Sequence, residues 1–262
     1  MPVRFDKNAV AALEKSYLTP EIKHQRERML AQLALTEGDR VLDAGCGVGL
    51  LTETLCERVG VSGRVAACDQ SAAMVEATAS RCAGRANLDK HEASVCDLPF
   101  EDGSFDAVAL AQVLLYVERP VDALCEVRRV LRPGGVVSIV ETDWRGVVMA
   151  TDEPERVRRV FAAWDAAVPS PGLPCALQPA LQAAGLVFDA VEAVPLVNTR
   201  WDDDGFSMPM VRDLARMAVK RHALTSAEAD ALLAEMDARG DSDSYFFCVN
   251  RFVFRARCPG GI

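Results

Sequence analysis

The stretch that decides the fold is VLDAGCGVG, residues 41–49. An apolar run ends at Asp43, and three glycines in five residues then lead into the helical pattern of residues 50–60. Glycine permits a backbone with φ > 0, and it lets a ligand lie against the main chain without a Cβ between them. An ordinary strand-to-helix turn has no need of three glycines. The stretch therefore predicts a ligand-binding loop between a buried strand and a helix.

Two nucleotide cofactors are candidates for this loop. Dinucleotide-binding loops follow G-x-G-x-x-G and hold a pyrophosphate at the helix N-terminus, whereas this loop runs G-x-G-x-G. Asp43 stands directly before the turn, where its carboxylate would repel a pyrophosphate. A carboxylate there suits a ligand with an ammonium group and hydroxyls, such as S-adenosylmethionine. The spacing and the charge together favour S-adenosylmethionine over a dinucleotide.

Strand and helix patterns alternate through the first 145 residues. Apolar strand patterns cover residues 39–44, 63–69, 87–94, 105–112 and 135–143. Helical patterns cover residues 50–60, 71–84 and 120–131. Nearly continuous apolar strands that alternate with helices are typical of a parallel sheet covered on both faces. We therefore predict an α/β, Rossmann-like fold.

The pattern changes after Asp143. Helical patterns there cover residues 155–168, 176–185, 208–222 and 226–239, and strand patterns cover 186–197 and 245–258. We interpret the chain as a single catalytic domain in three parts. These are an N-terminal helical lid segment (1–36), a cofactor-binding core (37–150) and a C-terminal part that completes the sheet (151–262). Within the last part, a helical insertion at about 202–243 is expected to act as a lid.

Acidic residues follow the second and third predicted strands. Asp69 ends the second strand, where a carboxylate can accept both hydroxyls of a ribose; the alternative is an exposed helix-cap aspartate before Ser71. Gln70 and Met74 would flank the adenosine, although Met74 at helical spacing could equally belong to the core.

The third strand is followed by Asp97 and Leu98. Asp97 could accept a hydrogen bond from an adenine amino group while Leu98 packs on the ring. Aspartate is also common at turns for backbone reasons alone. Asp97 and Leu98 therefore support a cofactor site only in combination with the glycine loop and Asp69.

Together these features resemble the class I S-adenosylmethionine-dependent methyltransferases, specifically the ubiquinone/menaquinone-biosynthesis-like group of small-molecule methyltransferases. The matching pieces are VLDAGCGVG (41–49), ACDQSAAMVEAT (67–78), ASVCDLPFEDGSFDAV (93–108) and ALCEVRRVLRPGGVVSIVETDW (123–144). The resemblance is strong over about residues 15–150 and weak over the remainder. It implies a seven-stranded, mostly parallel sheet whose last strand is antiparallel.

The resemblance also implies roles for individual residues. Gly45 and Gly47, with Cys46 between them, would line the methionine part of the cofactor. Asp69 would hold the ribose, and Asp97 with Leu98 would hold the adenine. The remaining three residues lie on the methionine side: the carbonyl of Gln112 would meet the ammonium group, while Tyr17 and Arg26 would close over this end of the ligand.

Charge and composition limit the partners. A net charge of −9 argues against free DNA or an anionic membrane, because both need a cationic surface. The nine cysteines form no CxxC or zinc-spaced cluster, so we expect no metal site. The charged first 16 residues and the lack of an apolar window of 18 residues predict a cytoplasmic protein without a membrane span. A monomer or a homodimer is expected.

Candidates for acid–base chemistry are few. Asp143 follows the fifth strand and could act as a base, or it could make only surface or supporting hydrogen bonds. His222 lies in the predicted insertion and could reach the acceptor, although a cation at a helix end also suits the helix dipole. Several large side chains of the C-terminal half could line an apolar acceptor pocket or form core: Phe161, Trp164, Trp201, Phe206, Met208, Met210 and Met217.

The sequence predicts a methyltransferase that moves a methyl group from S-adenosylmethionine to an oxygen or nitrogen of a partly apolar small molecule, in specialised metabolism, leaving S-adenosylhomocysteine. The alternative is a methyltransferase-like protein that binds the cofactor without transferring methyl, as a cyclase or a regulator. Methylation of RNA or protein fits the acidic charge poorly. Arsenite methylation would need thiolates such as Cys46, Cys68 and Cys96 to converge on one arsenic atom.

Overall fold

The computed structural model describes residues 7–260, and within them the side chains of residues 7–9, 11 and 12 are not described. Eight strands of this part of the chain form one sheet in the order β3-β2-β1-β4-β5-β8-β6, with β7 paired to the other side of β8. The strands are β1 (Arg40–Ala44), β2 (Arg64–Asp69), β3 (Leu88–Glu92), β4 (Phe105–Ala111), β5 (Leu131–Thr142), β6 (Val148–Met149), β7 (Val187–Asn198) and β8 (Phe247–Arg257).

Helices cover both faces of this sheet and one of its ends. They are α1 (Lys7–Tyr17), α2 (Pro20–Leu33), α3 (Leu50–Val59), α4 (Ala72–Arg81), α5 (Pro120–Val130), α6 (Pro154–Asp165), α7 (Pro174–Ala183), α8 (Ser207–Lys220) and α9 (Ser226–Asp241). Short 3-10 turns follow β4 (Leu114–Tyr116) and β5 (Trp144–Gly146).

The predicted fold class is confirmed, with one strand more than expected. β1, β2, β3, β4 and β5 pair in parallel, while β8 pairs antiparallel with β5, β6 and β7. The added strand is the two-residue β6, which pairs with Phe247 and Cys248. Since β8 alone runs against the others, the last strand is antiparallel as predicted.

Strand β5 begins earlier than the sequence predicts. Leu131 already pairs with Phe105, and the register then shifts so that Val136 pairs with Ala107. The RPGG segment, residues 132–135, lies inside this irregularity instead of before the strand. Gly134 takes φ +78 there, a left-handed conformation that glycine adopts without strain.

The central strands are buried on both faces. The neighbours Val41 and Leu42 are both fully buried, yet they belong to different core clusters because successive side chains of a strand point to opposite faces. Leu42 packs with residues of α5 and α7, and Val41 packs with residues of α2 and α3. This burial explains why the strands read as continuous apolar runs and not as alternating ones.

A separate core cluster occupies the C-terminal half. Here α6, α8 and α9 pack around Trp144, whose ring stacks on Phe161 and Phe206 at centroid distances of 6.1 and 6.4 Å. Trp164, Trp201, Met210 and Met217 pack against this cluster. Across residues 7–260, no helix is both long and apolar enough to cross a bilayer.

Phe247 provides a test of this packing. It is fully buried on β8, next to Phe246, which is 38% exposed. Phe247→Ala should lower the free energy of unfolding by about 3–5 kcal/mol, because it leaves a cavity where β6, β7 and α8 meet. The control Phe246→Ala should cost less than about 1 kcal/mol. Urea denaturation of both variants measures the difference, and equal losses would contradict this core assignment.

Candidate functional site

A cavity of about 300 Å³ lies between the N-terminal helices and the carboxyl edge of the sheet. This volume is at the lower end of the roughly 300–1,000 Å³ typical of small-molecule sites. Its walls come from α1, α2, the 45–49 loop and the residues that follow β2, β3 and β4, and Arg251 of β8 contributes from the far side. Ligands of open α/β sheets bind at this edge.

The three glycines of the loop serve different purposes. Gly45, Gly47 and Gly49 all have positive φ, at +84, +54 and +80. A Cβ on Gly45 would overlap the Val113 side chain, and one on Gly49 would lie 2.9 Å from Thr78 Cα. A Cβ on Gly47 would meet nothing within 4 Å. Two glycines therefore permit close packing of the loop, while Gly47 keeps its face of the cavity open.

Asp69 fixes the loop to β2 and also lines the cavity. Its Oδ2 accepts the Gly47 N–H at 3.1 Å, and its Oδ1 accepts the Ser71 N–H at 2.9 Å. Partial burial raises the pKa of its carboxyl group. Because a carboxylate accepts about four hydrogen bonds, it has acceptor capacity left for a ligand in the cavity.

Asp43 lies beneath the loop as a buried carboxyl group. Thr52 Oγ1 donates to its Oδ2 at 2.6 Å. The pKa of Asp43 is raised to about 7, mainly by burial; the Thr52 hydrogen bond lowers it, Asp69 contributes to the rise, and Arg26 opposes it. Arg26 itself donates from Nη2 to the Tyr17 carbonyl at 2.9 Å, which ties α2 to the end of α1 over the cavity.

The structure brings together ten of the twelve predicted cofactor residues. Those that line the cavity are Tyr17, Arg26, Asp43, Gly45, Cys46, Gly47, Asp69, Gln70, Met74 and Gln112. Met74 is also almost fully buried, at 1% exposed, so it belongs to both the cavity wall and a core cluster. The two readings of Met74 that the sequence leaves open are therefore compatible.

Asp97 and Leu98 do not line the cavity. Asp97 is exposed, and Leu98 is buried in the core while its N–H donates to Glu126 Oε2 at 2.9 Å. Their place is taken by Ser94 and Val95, which the sequence analysis missed. Strand β3 ends at Glu92, so the first residues after it lie at the sheet edge. Their position directly after the strand could have identified Ser94 and Val95, whereas a preference for an acidic side chain selected Asp97.

Gln112 sits in a strained turn after β4. It has φ +59, and its side chain is tied to β5 by Nε2 donating to the Val140 carbonyl at 3.2 Å and by Oε1 accepting from Thr142 Oγ1 at 2.8 Å. Both ends of the amide are thus engaged by the protein. The side-chain amide is therefore less available than the main-chain carbonyl of Gln112 to accept a hydrogen bond from a ligand ammonium group.

Glu141 holds the segment after β4 from behind. It is fully buried, and its Oε1 accepts the N–H groups of Val113 at 3.2 Å and Leu114 at 2.8 Å. Desolvation raises its pKa to about 8 against the opposing effect of these N–H groups and of Arg251. Glu141 does not line the cavity, so it acts as a positioning residue for the 112–116 turn.

The two candidate acid–base residues lie outside the cavity lining. Both oxygens of Asp143 pair with Arg145, at 2.8 and 2.6 Å, which lowers the pKa of Asp143. His222 is exposed at the end of α8 with φ +60. Asp143 caps the turn after β5 and His222 ends a helix, so neither side chain is directed at a ligand in this cavity.

The predicted insertion likewise contributes no lining residue within the described chain. Its large apolar residues, offered above as pocket or core, are core: Phe206 is buried, and Trp201, Met210 and Met217 pack beside it. The cover over the cavity comes instead from Leu13, Tyr17 and the first turns of α2.

The thiols near the loop do not suit arsenic chemistry. Burial raises the pKa of Cys46 well above its usual value and that of Cys68 to about 12. Cys46 also receives a contact from Thr78 Oγ1 at 3.4 Å. Thiols held protonated in this way act as small hydrophobic groups.

Glu141 gives a pH-dependent prediction. Its pKa is 4.5 in the unfolded chain and about 8 in the folded one, so between these values the folded chain keeps a proton that the unfolded chain has lost. Stability therefore falls as the pH rises through this window. Glu141→Gln keeps an oxygen acceptor and removes the titration. Its unfolding free energy should exceed the wild-type value increasingly from about pH 5 to about pH 8, reaching the order of a few kcal/mol.

Urea denaturation at several pH values measures this difference. The matched control is Glu101→Gln at an exposed site, for which the difference should stay constant. A constant difference for Glu141→Gln as well would show that Glu141 is ionised in the folded protein.

Comparison with known proteins agrees with this geometry. Residues 42–139 match the methyltransferase domain family. A demethylmenaquinone methyltransferase of Staphylococcus aureus is 37% identical over 117 residues, which are 45% of this chain and 48% of that protein. The chain spans about half the length, or less, of the curated relatives it matches.

Two solved structures share the whole arrangement at low identity. A putative methyltransferase from Bacillus halodurans is 16% identical with a TM-score of 0.63, covering 90% of this chain and 99% of that one. The [4+2]-cyclase SpnF is 21% identical with a TM-score of 0.59, covering 92% and 82%. At these identities the likeness shows the fold. Residues 42–139, with the glycine loop, match a methyltransferase domain, and the chain as a whole shares the fold of these solved structures.

Proposed function

We propose that this chain transfers a methyl group from S-adenosylmethionine to a small-molecule acceptor bound at the β4–β5–β8 side of the cavity. The observation that carries the proposal is the open face at Gly47, framed by the carboxylates Asp43 and Asp69. The positive φ of Gly47 favours glycine by itself, and because a Cβ there would stand in the cavity, glycine also leaves this face free for a ligand.

The residues present fit this cofactor. Asp69 would accept hydrogen bonds from the ribose hydroxyls, and Ser94 with Val95 would border the adenine. Gly47 would lie against the methionine part, and the Gln112 carbonyl would face the ammonium group. When bound, S-adenosylmethionine supplies a methyl group activated by its sulfonium centre. Arg26 and Tyr17 would hold α1 and α2 closed over this end, which excludes water.

The acceptor side differs in chemistry from the cofactor side. Ile22 and Met29 give it apolar walls, and Tyr17, Gln25 and Tyr116 give it polar ones. These mixed walls favour a partly apolar small molecule as the acceptor. A small-molecule acceptor in specialised metabolism, methylated on oxygen or nitrogen, suits these walls.

Positioning supplies much of the expected rate enhancement. No histidine lines the cavity among the described residues, and the carboxyl groups that line it are those of Asp43, Asp69 and Glu118. Tyr17 and Tyr116 have raised pKa values through burial, so both hydroxyls are neutral at pH 7. The protein would orient the nucleophile in line with the methyl group, an effect that requires no proton transfer.

Gly47→Ala tests the cofactor site. The new Cβ would occupy the open face, so we expect the affinity for S-adenosylhomocysteine, measured by calorimetry, to fall by about tenfold or more. Gly84→Ala is the matched control, because Gly84 also has positive φ, at +85, and open space around its Cβ, but lies away from the cavity. Both variants carry similar backbone strain. An unchanged affinity for Gly47→Ala would rule out the proposed placement.

The second candidate function is cofactor binding without methyl transfer. It is favoured by the absence of a histidine from the described cavity lining, and the cyclase named above has the same fold. Incubation with methyl-labelled S-adenosylmethionine and a pool of small metabolites separates the two. Label in a small molecule supports transfer. Tight cofactor binding with no movement of label supports the second function.

A further inference from the structure

Arg251 is a buried cation at the acceptor end of the cavity. It lies on β8, is only 4% exposed and lines the cavity. Its Nη1 donates to Gln25 Oε1 at 2.6 Å, and its guanidinium carbon lies 5.4 Å from the centre of the Phe206 ring. Its Nε has no hydrogen-bond partner. The group is therefore held in place on two sides and keeps a free donor.

Arg251 forms no ion pair within 4.0 Å among residues 7–260, and Glu141 is the carboxyl group that acts on it from a greater distance. Two less buried arginines of the chain pair with carboxylates, Arg129 with Glu126 at 2.7 Å and Arg239 with Glu235 at 3.1 Å, whereas Arg26 of the same cavity donates to the Tyr17 carbonyl. No described carboxylate lies within 4.0 Å of Arg251. A buried charge without a partner is costly in free energy, so its retention in a cavity calls for an explanation.

The groups around Arg251 are neutral or nearly so. Gln25 is uncharged, and burial raises the pKa values of Tyr17 and Tyr116, which keeps their hydroxyls protonated. Burial also raises the pKa of Glu141 to about 8, so at neutral pH this carboxyl group is largely protonated. Arg251 is therefore a cation among largely uncharged neighbours, and the carboxyl groups that line the cavity itself are those of Asp43, Asp69 and Glu118.

The sheet order separates this cation from the cofactor loop. From β1 the strands run through β4 and β5 to β8, and three strand spacings amount to about 14 Å. Arg251 pairs in register with Thr142, near the carboxyl end of β5, so its side chain belongs to the edge where the acceptor would bind. The cofactor carboxylates Asp43 and Asp69 lie on β1 and β2.

We propose that Arg251 binds a carboxylate group of the methyl acceptor, an inference that rests on the proposed function. The flat guanidinium fork matches a carboxylate. A single cation balances the one negative charge of a carboxylate, whereas a phosphate dianion would require a second cation. The acceptor is then an acid whose anionic end docks beside Gln25 and whose remainder extends past Tyr17 and Tyr116 toward the cofactor.

The test uses the full chain saturated with S-adenosylhomocysteine and two pairs of probes: acetate with acetamide, and benzoate with benzamide. The first readout is the Nε–Hε resonance of Arg251 in a nitrogen–proton NMR spectrum. We expect the carboxylates to shift this resonance in a saturable manner and the amides to leave it in place. Equal shifts from acids and amides would overturn the proposal, as would the absence of any shift with either acid.

Calorimetry of variants gives the second readout. Arg251→Met should weaken benzoate binding by about tenfold or more, since a charged hydrogen bond is lost, while the affinity for S-adenosylhomocysteine stays the same. The matched control is Arg255→Met on the same strand, where Arg255 is paired with Asp189 at 3.8 Å and is outside the cavity lining. That variant should bind benzoate like the wild type. Benzoate affinity retained in Arg251→Met would contradict the inference.

Two further results keep this inference distinct from the proposed function. If Arg251→Met does not fold, Arg251→Lys keeps the charge but loses the fork, and its benzoate affinity should still fall. If S-adenosylhomocysteine does not bind the wild type, the cofactor assignment fails, and the probes are titrated into the protein alone. A preference for the acids that depends on Arg251 is still expected there.

Discussion

The site depends on one set of main-chain hydrogen bonds, those that extend the β1–β2 pairing into the glycine loop. The N–H groups of Gly45 and Cys46 both donate to the Cys68 carbonyl, at 2.7 and 2.9 Å, and the Gly47 N–H donates to Asp69 at 3.1 Å. These bonds hold the loop against the end of β2. The loop therefore turns at the sheet edge with Gly47 facing open space, and the helix α3 starts where its N-terminus faces the same cavity.

The sheet order gives this cavity two chemically different ends. Strands β1 and β2 place carboxylates at one end, which suits an ammonium group and a ribose. Strand β8 places Arg251 at the other, with Gln25 beside it. Glu141 lies on β5, between these two ends in the strand order. Its carboxyl group accepts main-chain N–H groups and so fixes the turn after β4 from behind the cavity wall. The positions of these charged groups follow from strand neighbours, and the acidic composition of the chain does not reveal them.

Local patterns predicted the residues whose role depends on their own segment. The glycines, Asp43 and Asp69 were found because a strand end followed by a tight turn has a recognisable sequence. Asp97 and Asp143 were chosen as acidic residues that follow predicted strands, and His222 as a histidine of the predicted insertion, and none of them lines the cavity. Asp143 is paired with Arg145, and Asp97 is exposed beyond a turn that leaves Ser94 and Val95 at the edge. Residue type alone does not say which way a side chain points.

The sequence by itself determined the order of strands and helices, the parallel sheet and the glycine loop, because hydrophobic periodicity and glycine conformation act over short stretches of chain. The tertiary structure alone decided what lies at the β8 end of the cavity. Arg251 and Gln25 are far apart along the chain, and they meet only because β8 inserts beside β5 while α2 packs across the same edge. A long-range strand pairing of this kind leaves no local pattern, so Arg251 reads in the sequence as one more charged residue of a terminal strand.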